Sequence, residues 1–400
     1  MTLKNFCVLP FNSISFSATG QLRPCCNAYN SGFGKKITNI SVDEIINHEN
    51  IKKLRQDFIN DDRSELCKRC WDLEDQGMTS YRELLNNLHR VKDVEYYKNQ
   101  HIDFNDIEYL DITLGNKCNL ACRMCNKYSS SLLAKNLIDI GIFNDPSGKK
   151  GLIDFGENEE KKILDLIAKC TNLNYIYFIG GEPLINEFHE KILRTLIDQN
   201  RAGQIHIKYN TNMHIDIKKF FAYWTKFKKV EVNASIDGTD AVYEYIRWPG
   251  NFQKVYENMK LAIDYKNQYS NLKLGISVVN QNLNAENMLP LITRFQHIGV
   301  QYGYWFITVT GNNYLELTPT MVLEKQLDLL KQKLDPKIHA WQNLMQNYES
   351  AYEKSKSIDY QDVVRFFTYT KQLDLYRKQN LFYVLPYMKD LANKFNIELW

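Results

Sequence analysis

Tyr109-Leu110-Asp111-Ile112-Thr113-Leu114-Gly115-Asn116-Lys117-Cys118-Asn119-Leu120-Ala121-Cys122-Arg123-Met124-Cys125 sets a short apolar run directly against a loop that holds three cysteines. The run itself, Tyr109–Leu114, has the Ile, Leu and aromatic content of a buried strand. Similar runs follow at Tyr175–Ile179, Ile205–Tyr209, Val230–Ile236, Leu272–Val279 and Tyr302–Val309. Between them, Glu159–Lys169, Asn186–Gln199, Ile215–Phe227, Phe252–Lys266 and Ala285–His297 carry apolar residues at three- and four-residue spacing, as helices packed on a sheet do. This alternation predicts an α/β fold, a partial (β/α)6 TIM-like barrel. A complete barrel needs about eight such units, and the last two have no counterpart in the pattern.

The flanks differ. Residues 1–85 hold Gly20, Pro24, Gly32 and Gly34, a hairpin pattern from Ser13 to Leu22 and a helical stretch from Val42 to Asn60. Five of the nine cysteines also fall there: Cys7, Cys25, Cys26, Cys67 and Cys70. So small a module has a thin core of its own, and a metal site would help hold it together. Beyond Pro319 the pattern is helical over Met321–Leu334, Ile338–Lys354, Tyr360–Lys378 and Val384–Phe395. The expected organisation is a small N-terminal Cys-rich module over 1–85, the partial barrel over 105–310 and a helical C-terminal region over 318–400. No internal repeat or low-complexity tract interrupts it.

Bulk properties narrow the function classes. The formal net charge of +3 on 400 residues gives no reason to expect a nucleic-acid partner. The apolar run at the N-terminus is broken by Pro10 and Asn12, which makes a poor secretory signal. No apolar stretch reaches the ~18 residues of a membrane span. The expected location is cytoplasmic, where disulfides are disfavoured and clustered cysteines point to metal or catalytic roles. Cys170 stands alone and reads as core, His189 as surface or core, and the tyrosines of the C-terminal helices as packing.

The loop after the first strand lies where β/α folds build their active sites, at a strand's C-terminal end. Three closely spaced thiolates can hold three corners of a [4Fe–4S] cube and leave one iron without a protein ligand. Two plainer readings compete. The i, i+4, i+7 spacing could line one buried helix face, although Gly115, Asn116 and Asn119 make a poor helix start. A structural zinc site would need a fourth ligand nearby.

Here the residues resemble a known family. Cys-x3-Cys-x2-Cys after the first strand is similar to the signature of radical S-adenosylmethionine (SAM) enzymes, and three further stretches agree in order. Gly180-Gly181-Glu182-Pro183 ends the second run and resembles the family's glycine-rich motif, whose backbone carbonyls hold the SAM amino group. Asn210-Thr211-Asn212 ends the third, like the family's Thr-Asn-Gly turn. Ser235-Ile236-Asp237-Gly238 ends the fourth, and Ile246-Arg247 follows; in the family pattern the Ser and Arg bind the SAM carboxylate. The resemblance covers roughly residues 105–310. It implies a [4Fe–4S] cluster bound by Cys118, Cys122, Cys125 and SAM, with Gly180, Gly181, Glu182, Pro183, Asn212, Ser235 and Arg247 around the cofactor. It further implies a reducing partner such as a flavodoxin or ferredoxin, and a 5′-deoxyadenosyl radical that takes hydrogen from a substrate. Met124 replaces an aromatic of the family pattern and Met213 a glycine; both bear on how the nucleoside packs.

Cys7, one of Cys25 and Cys26, and the Cys67-x2-Cys70 knuckle make a second four-thiol set. Neighbouring Cys25 and Cys26 project differently, so one of them is expected to be a ligand, and Cys25 is favoured. The spacing by itself permits a zinc ribbon. The set resembles the twitch (shortened SPASM) module, which implies an auxiliary [4Fe–4S] cluster, here placed ahead of the barrel. Twitch and SPASM relatives modify peptides or act on small polar molecules; no separate leader-peptide-binding domain is evident before Cys7. Strand-end residues such as Asn280 and Thr308 are candidates for substrate contact. The rival reading is a non-catalytic zinc-binding barrel scaffold.

Overall fold

The structure, a computed structural model, describes residues 3–28, 33–75, 77, 79–89, 91–92, 94–98, 102–300, 303–308 and 318–400. Its chain forms two compact units, one of Met1–Lys117, Leu152–Tyr209 and Lys226–Val230, the other of Cys118–Gly151, Asn210–Thr225 and Glu231–Trp400.

In the first unit the strands are β1 (Ser13–Phe16), β2 (Leu22–Arg23), β3 (Tyr109–Thr113), β4 (Tyr175–Ile179) and the start of β5 (His206–Thr211), ordered β2-β1-β3-β4-β5. The expected hairpin is present, with β1 antiparallel to β2. It also does something the sequence did not announce: β1 lies parallel to β3, with Ser13 opposite Tyr109 and Phe16 opposite Ile112. The cysteine-rich segment thus extends the barrel's own sheet. Parallel pairing continues from β3 to β4 and from β4 to β5. Ile14, Phe16, Ile112, Phe178 and Ile207 are buried on one face of these strands, and Ser15, Tyr109, Asp111 and Tyr175 on the other, the two-sided burial that parallel sheets need. Helices Glu157–Lys169 and Glu187–Asp198 supply one cover, burying Ile163, Leu166 and Ile167, and Ile192, Leu193 and Leu196. His189 is buried with its Nε2 2.9 Å from the Tyr209 hydroxyl, and Cys170 is buried too, so both are core. The single helix expected over 42–60 is two, Val42–Asn47 and Glu49–Ile59. The break falls at His48, whose ring accepts from the Asn50 amide and caps the second helix.

In the second unit β6 (Lys229–Ser235), β7 (Leu272–Asn280) and β8 (Tyr304–Thr308) lie in that order, with Ile276 opposite Tyr304 and Asn280 opposite Thr308. Helices Phe252–Gln268 and Met288–His297 flank them. The helical C-terminal region is built of Thr320–Lys333, His339–Ser355, Tyr360–Arg377, Leu381–Val384 and Met388–Lys394. Val363, Phe366, Phe367, Leu381 and Leu391 share one core with Tyr245, Ile246 and Leu283. Tyr348 and Tyr387 pack as expected, their hydroxyls donating to the Ala285 and Asn282 carbonyls, whereas Tyr360, Tyr376 and Tyr383 are exposed. Strands β3 to β8 are the six barrel strands, and the last expected run extends at both ends beyond the described residues. β2 and β8 are edges, so the sheet is not closed. Among the described residues no helix is long and apolar enough to cross a membrane.

Candidate functional site

The three-cysteine stretch is a loop, not a helix face, which removes the buried-helix reading. Its shape is set by hydrogen bonds to residues far along the chain. The Ala121 amide donates to the Trp248 carbonyl at 2.6 Å and the Arg123 amide to the Ile246 carbonyl at 2.8 Å. Ser130 Oγ donates to the Leu120 carbonyl and accepts from the Leu133 amide, so one side chain both closes the loop and caps helix Ser131–Asp139, which the sequence reading passed over. The Cys118 amide donates to Ser131 Oγ at 3.2 Å. Cys122 is buried, while Cys118 and Cys125 are half-buried.

Arg247 meets this loop. Its Nη1 donates to Cys122 Sγ at 3.7 Å, and its Nε donates to Asp237 Oδ2 at 2.7 Å. Asp237 Oδ1 in turn accepts from the Val279 amide at 2.7 Å. Burial lowers the Arg247 pKa, but the Asp237 and Cys122 charges outweigh it, so the guanidinium stays charged. Burial raises the Asp237 carboxyl against the opposing pull of Arg247 and the Val279 amide. A hydrogen bond with Cys125, helped by Arg247, draws the Cys122 thiol below its ordinary value; the same bond and burial push Cys125 up. Asp237 is a candidate site residue that the sequence reading named only as part of a motif. An acid ten residues ahead of an expected anion-binding arginine was the available signal.

Asn212 lies at the same loop: its Nδ2 donates to Asn119 Oδ1 at 2.8 Å and reaches Cys118 Sγ at 3.9 Å. Met213, fully buried, has φ +56°, the left-handed conformation that favours glycine. Ser235 closes β6 and is half-buried.

In the first unit, Gly180 and Gly181 lie on the backbone of Leu114–Lys117, immediately ahead of Cys118 in the chain. A Cβ on Gly180 would stand 2.9 Å from the Gly115 carbonyl oxygen; one on Gly181 would stand 2.5 Å from that of Asn116 and clash with that of Lys117. Only glycine allows this approach, and Gly180 also needs its φ of +128°. The buried Glu182 anchors the turn through its amide, which donates to the Lys117 carbonyl at 2.9 Å, and through Oε1, which accepts from Leu184. Pro183 opens the buried turn that follows.

The same unit gathers the second cysteine set. Helix Tyr81–Leu88 fixes Cys7 from both sides: Arg82 Nη1 donates to the Phe6 carbonyl and Asn86 Oδ1 accepts from the Val8 amide. Cys67 ends a 3-10 turn and Cys70 sits in the first turn of helix Lys68–Asp75, which Trp71 pins through its Nε1 on the Ser64 carbonyl. Asn27 Nδ2 donates to Cys70 Sγ at 3.7 Å. Burial pushes Cys7 up to about 12 and also raises Cys25, Cys67 and Cys70. Cys25 interacts electrostatically with Cys67, Cys7, Cys70 and Asp111, whereas Cys26 interacts with Asp111, Cys25 and Arg23 and with none of the other three thiols of the set. The Cys26 amide donates to Asp111 Oδ2 at 2.7 Å. Asp111, buried in the middle of β3, is thus a second residue the sequence reading missed; an acid inside an apolar strand was its signal. Among the described residues no His, Cys, Asp and Glu set is drawn tightly enough around one point to hold a single metal ion. The fit to a cluster rests on donor chemistry, which is thiol throughout at both places.

Residues 112–289 match the family model of the radical SAM superfamily, and residues 7–71 match that of SPASM, an iron–sulfur cluster-binding domain. The chain carries a radical SAM domain preceded by a SPASM-type iron–sulfur module. Those domains imply a [4Fe–4S] cluster, SAM and auxiliary iron–sulfur, and neither supports a zinc-binding scaffold. No curated protein sequence matches the chain. Similar solved structures include histidine-tagged anSMEcpe with bound AdoMet, at 20% identity over 56% of this chain and 57% of that one, TM-score 0.42. Native anSMEcpe with bound AdoMet and Cp18Cys peptide is 16% identical over 56% and 60%, TM-score 0.35. Streptococcus suis SuiB bound to S-adenosylmethionine is 12% identical over 69% and 60%, TM-score 0.36. The chain spans less than two thirds of the length of each.

Proposed function

We propose that this protein is a radical SAM enzyme that cleaves SAM reductively and abstracts hydrogen from a peptide or a small polar molecule. The observation that carries the reading is the buried Arg247, held by Asp237 and donating to Cys122 at 3.7 Å within a loop of three thiols. An arginine fork beside a three-thiol loop suits the carboxylate of a cofactor that completes the cluster. When bound, the cluster and SAM supply one-electron cleavage of the sulfonium, giving methionine and a 5′-deoxyadenosyl radical.

The chain's own residues bind and orient. Cys118, Cys122 and Cys125 hold the cluster; Arg247 and Ser235 take the SAM carboxylate; the turn Gly180–Pro183 offers its carbonyls to the amino group. Asp237 fixes the plane of the Arg247 fork, and Asn212 steadies the loop at Asn119 and Cys118. Cys7, Cys25, Cys67 and Cys70 hold the auxiliary cluster. A flavodoxin- or ferredoxin-type reductant in the cytoplasm supplies the electron.

The end of β7 supports a polar substrate. Both amide atoms of Asn280 and Oε1 of Gln281 are buried without a hydrogen-bond partner among the described residues. They line a cavity of about 50 Å³ with Asn347 and Tyr348. That space admits an amide or hydroxyl group from a larger substrate, since whole-ligand pockets run to ~300 Å³ or more. Thr308 lies opposite Asn280 in the sheet, with its side chain outside the described residues.

The test is anaerobic reconstitution with iron and sulfide, then dithionite and SAM, with 5′-deoxyadenosine read by mass spectrometry beside a C118A/C122A/C125A variant. Product from the wild type alone is expected. A colourless, zinc-loaded wild type without product would overturn the reading.

A further inference from the structure

One cation near the cysteine loop has no acid paired with it among the described residues. Arg377, in the last turn of helix Tyr360–Arg377, is only 5% exposed. Its Nε and Nη2 both donate to the same neutral oxygen, Asn136 Oδ1, at 3.1 and 3.0 Å. Nη1 is buried without a partner among the described residues. The nearest acid in sequence, Asp374, is already engaged by Arg123, the Tyr245 hydroxyl, the Leu381 amide and Trp400 Nε1. A buried charge in that condition costs several kcal/mol unless an anion compensates it.

The surroundings say where the anion belongs. The Arg377 guanidinium lies 5.0 Å from the centre of the Trp248 ring. Trp248 accepts the Ala121 amide through its carbonyl and, with Tyr369 and Cys125, packs on the small core of Ala121, Leu133 and Leu137. Burial and the neighbouring Arg123 charge lower Arg377 to about 10, while Tyr369 and Cys122 act the other way. The side chain stays protonated near neutrality and within electrostatic reach of Cys122.

We propose that Arg377 is the counter-charge of the iron–sulfur cluster at Cys118, Cys122 and Cys125, and that it raises that cluster's reduction potential. The inference rests on the radical SAM reading above. A [4Fe–4S] cube of charge 2+ with three thiolates is a net monoanion, and the electron delivered by the external reductant makes it a dianion. No proton moves and no bond breaks in that step. A fixed cation beside the cysteines favours the more negative state, and the buried Arg377 charge is compensated by an anion only when the cluster is in place.

The test is a potentiometric titration of the reconstituted full chain, followed by electron paramagnetic resonance on the SAM-sensitive signal, in wild type, R377Q and R377K. In R377Q the ratio of reduced to oxidised catalytic cluster at a fixed potential is expected to fall about tenfold, which is ~59 mV for one electron. R377K is expected to stay within about threefold of wild type, a shift of less than ~30 mV by the same constant. The auxiliary cluster's signal serves as the internal reference and is expected not to move. Loss of the catalytic cluster from R377Q with retention in R377K would also support the counter-charge. Equal potentials in fully loaded wild type and R377Q would overturn it, as would equal shifts or equal cluster loss in both variants, which would make the role one of packing. A wild type with no signal dependent on the three cysteines would instead sink the radical SAM reading, and the counter-charge with it.

Discussion

The two cysteine sites are built on opposite plans. Cys118, Cys122 and Cys125 come from one short loop whose shape is fixed by protein hydrogen bonds to Trp248, Ile246 and Ser131. Arg247 faces that loop and touches Cys122, and the loop's own Arg123 is anchored to Asp374. Cys7, Cys25, Cys67 and Cys70 come instead from three distant segments, and burial pushes all four thiols up. The difference teaches where the folding energy comes from. The loop has hydrogen bonds of its own to shape it, whereas a cluster held by the four thiols would close long stretches of chain and help to hold them.

The largest expected effect breaks the loop's chemistry without touching the other site. Cys122→Ala should reduce 5′-deoxyadenosine formation by more than ~1000-fold, an effect of over ~4 kcal/mol on the barrier, while auxiliary iron per chain stays at the wild-type level. Loss of both clusters together would show that the sites are not independent. Next comes the framework. Asp374→Ala strands the buried Arg123 guanidinium, and removing one partner of a buried pair costs about 3–5 kcal/mol. Denaturant unfolding of metal-free protein measures it directly. A loss below ~1 kcal/mol, far short of that range, would mean that metal, not protein, shapes this loop as well. A smaller effect is expected from Asp237→Asn, which keeps the shape beside Arg247 but removes the charge. Outer-shell partners of this kind are worth about 10- to 100-fold in affinity or activity. SAM affinity, read by equilibrium dialysis on cluster-loaded protein, should weaken by that factor; unchanged affinity would remove Asp237 from the site.

How much of this was legible follows from the range of the interactions. The six barrel strands and the glycine turn announce themselves locally, through apolar runs and residues that only a tight approach requires. The three-cysteine loop is equally local. What escaped is long-range: the parallel pairing of β1 with β3 joins Ser13 to Tyr109, and Arg123 meets Asp374 from the far end of the chain. No periodicity encodes such a pairing. Asp111 and Asp237 were visible as acids in apolar surroundings, yet their partners, the Cys26 amide and Arg247, were not evident from the strands that carry them. Met213 shows the converse case: it departs from the glycine of the family pattern, yet its backbone, at φ +56°, adopts the left-handed conformation that glycine favours.

The finest distinction lies between adjacent residues in the four-thiol site. Cys25 shares its electrostatic surroundings with Cys7, Cys67 and Cys70, whereas Cys26 contributes a backbone amide to Asp111 and leaves its half-buried thiol toward Arg23 and Tyr81. Serine at position 26 keeps the amide and nearly the volume, so Cys26→Ser should cost about 1 kcal/mol or less and leave auxiliary iron at the wild-type level. Cys25→Ser should lose that iron while keeping the SAM-sensitive signal, because the catalytic loop does not draw on it. Iron content and thermal unfolding of the two variants, measured side by side, decide the matter. If Cys26→Ser lost the iron and Cys25→Ser kept it, the Asp111 contact would have to give way on metal binding. The hairpin would then be a mobile part of the site rather than the fixed extension of the sheet that β1 and β3 make it.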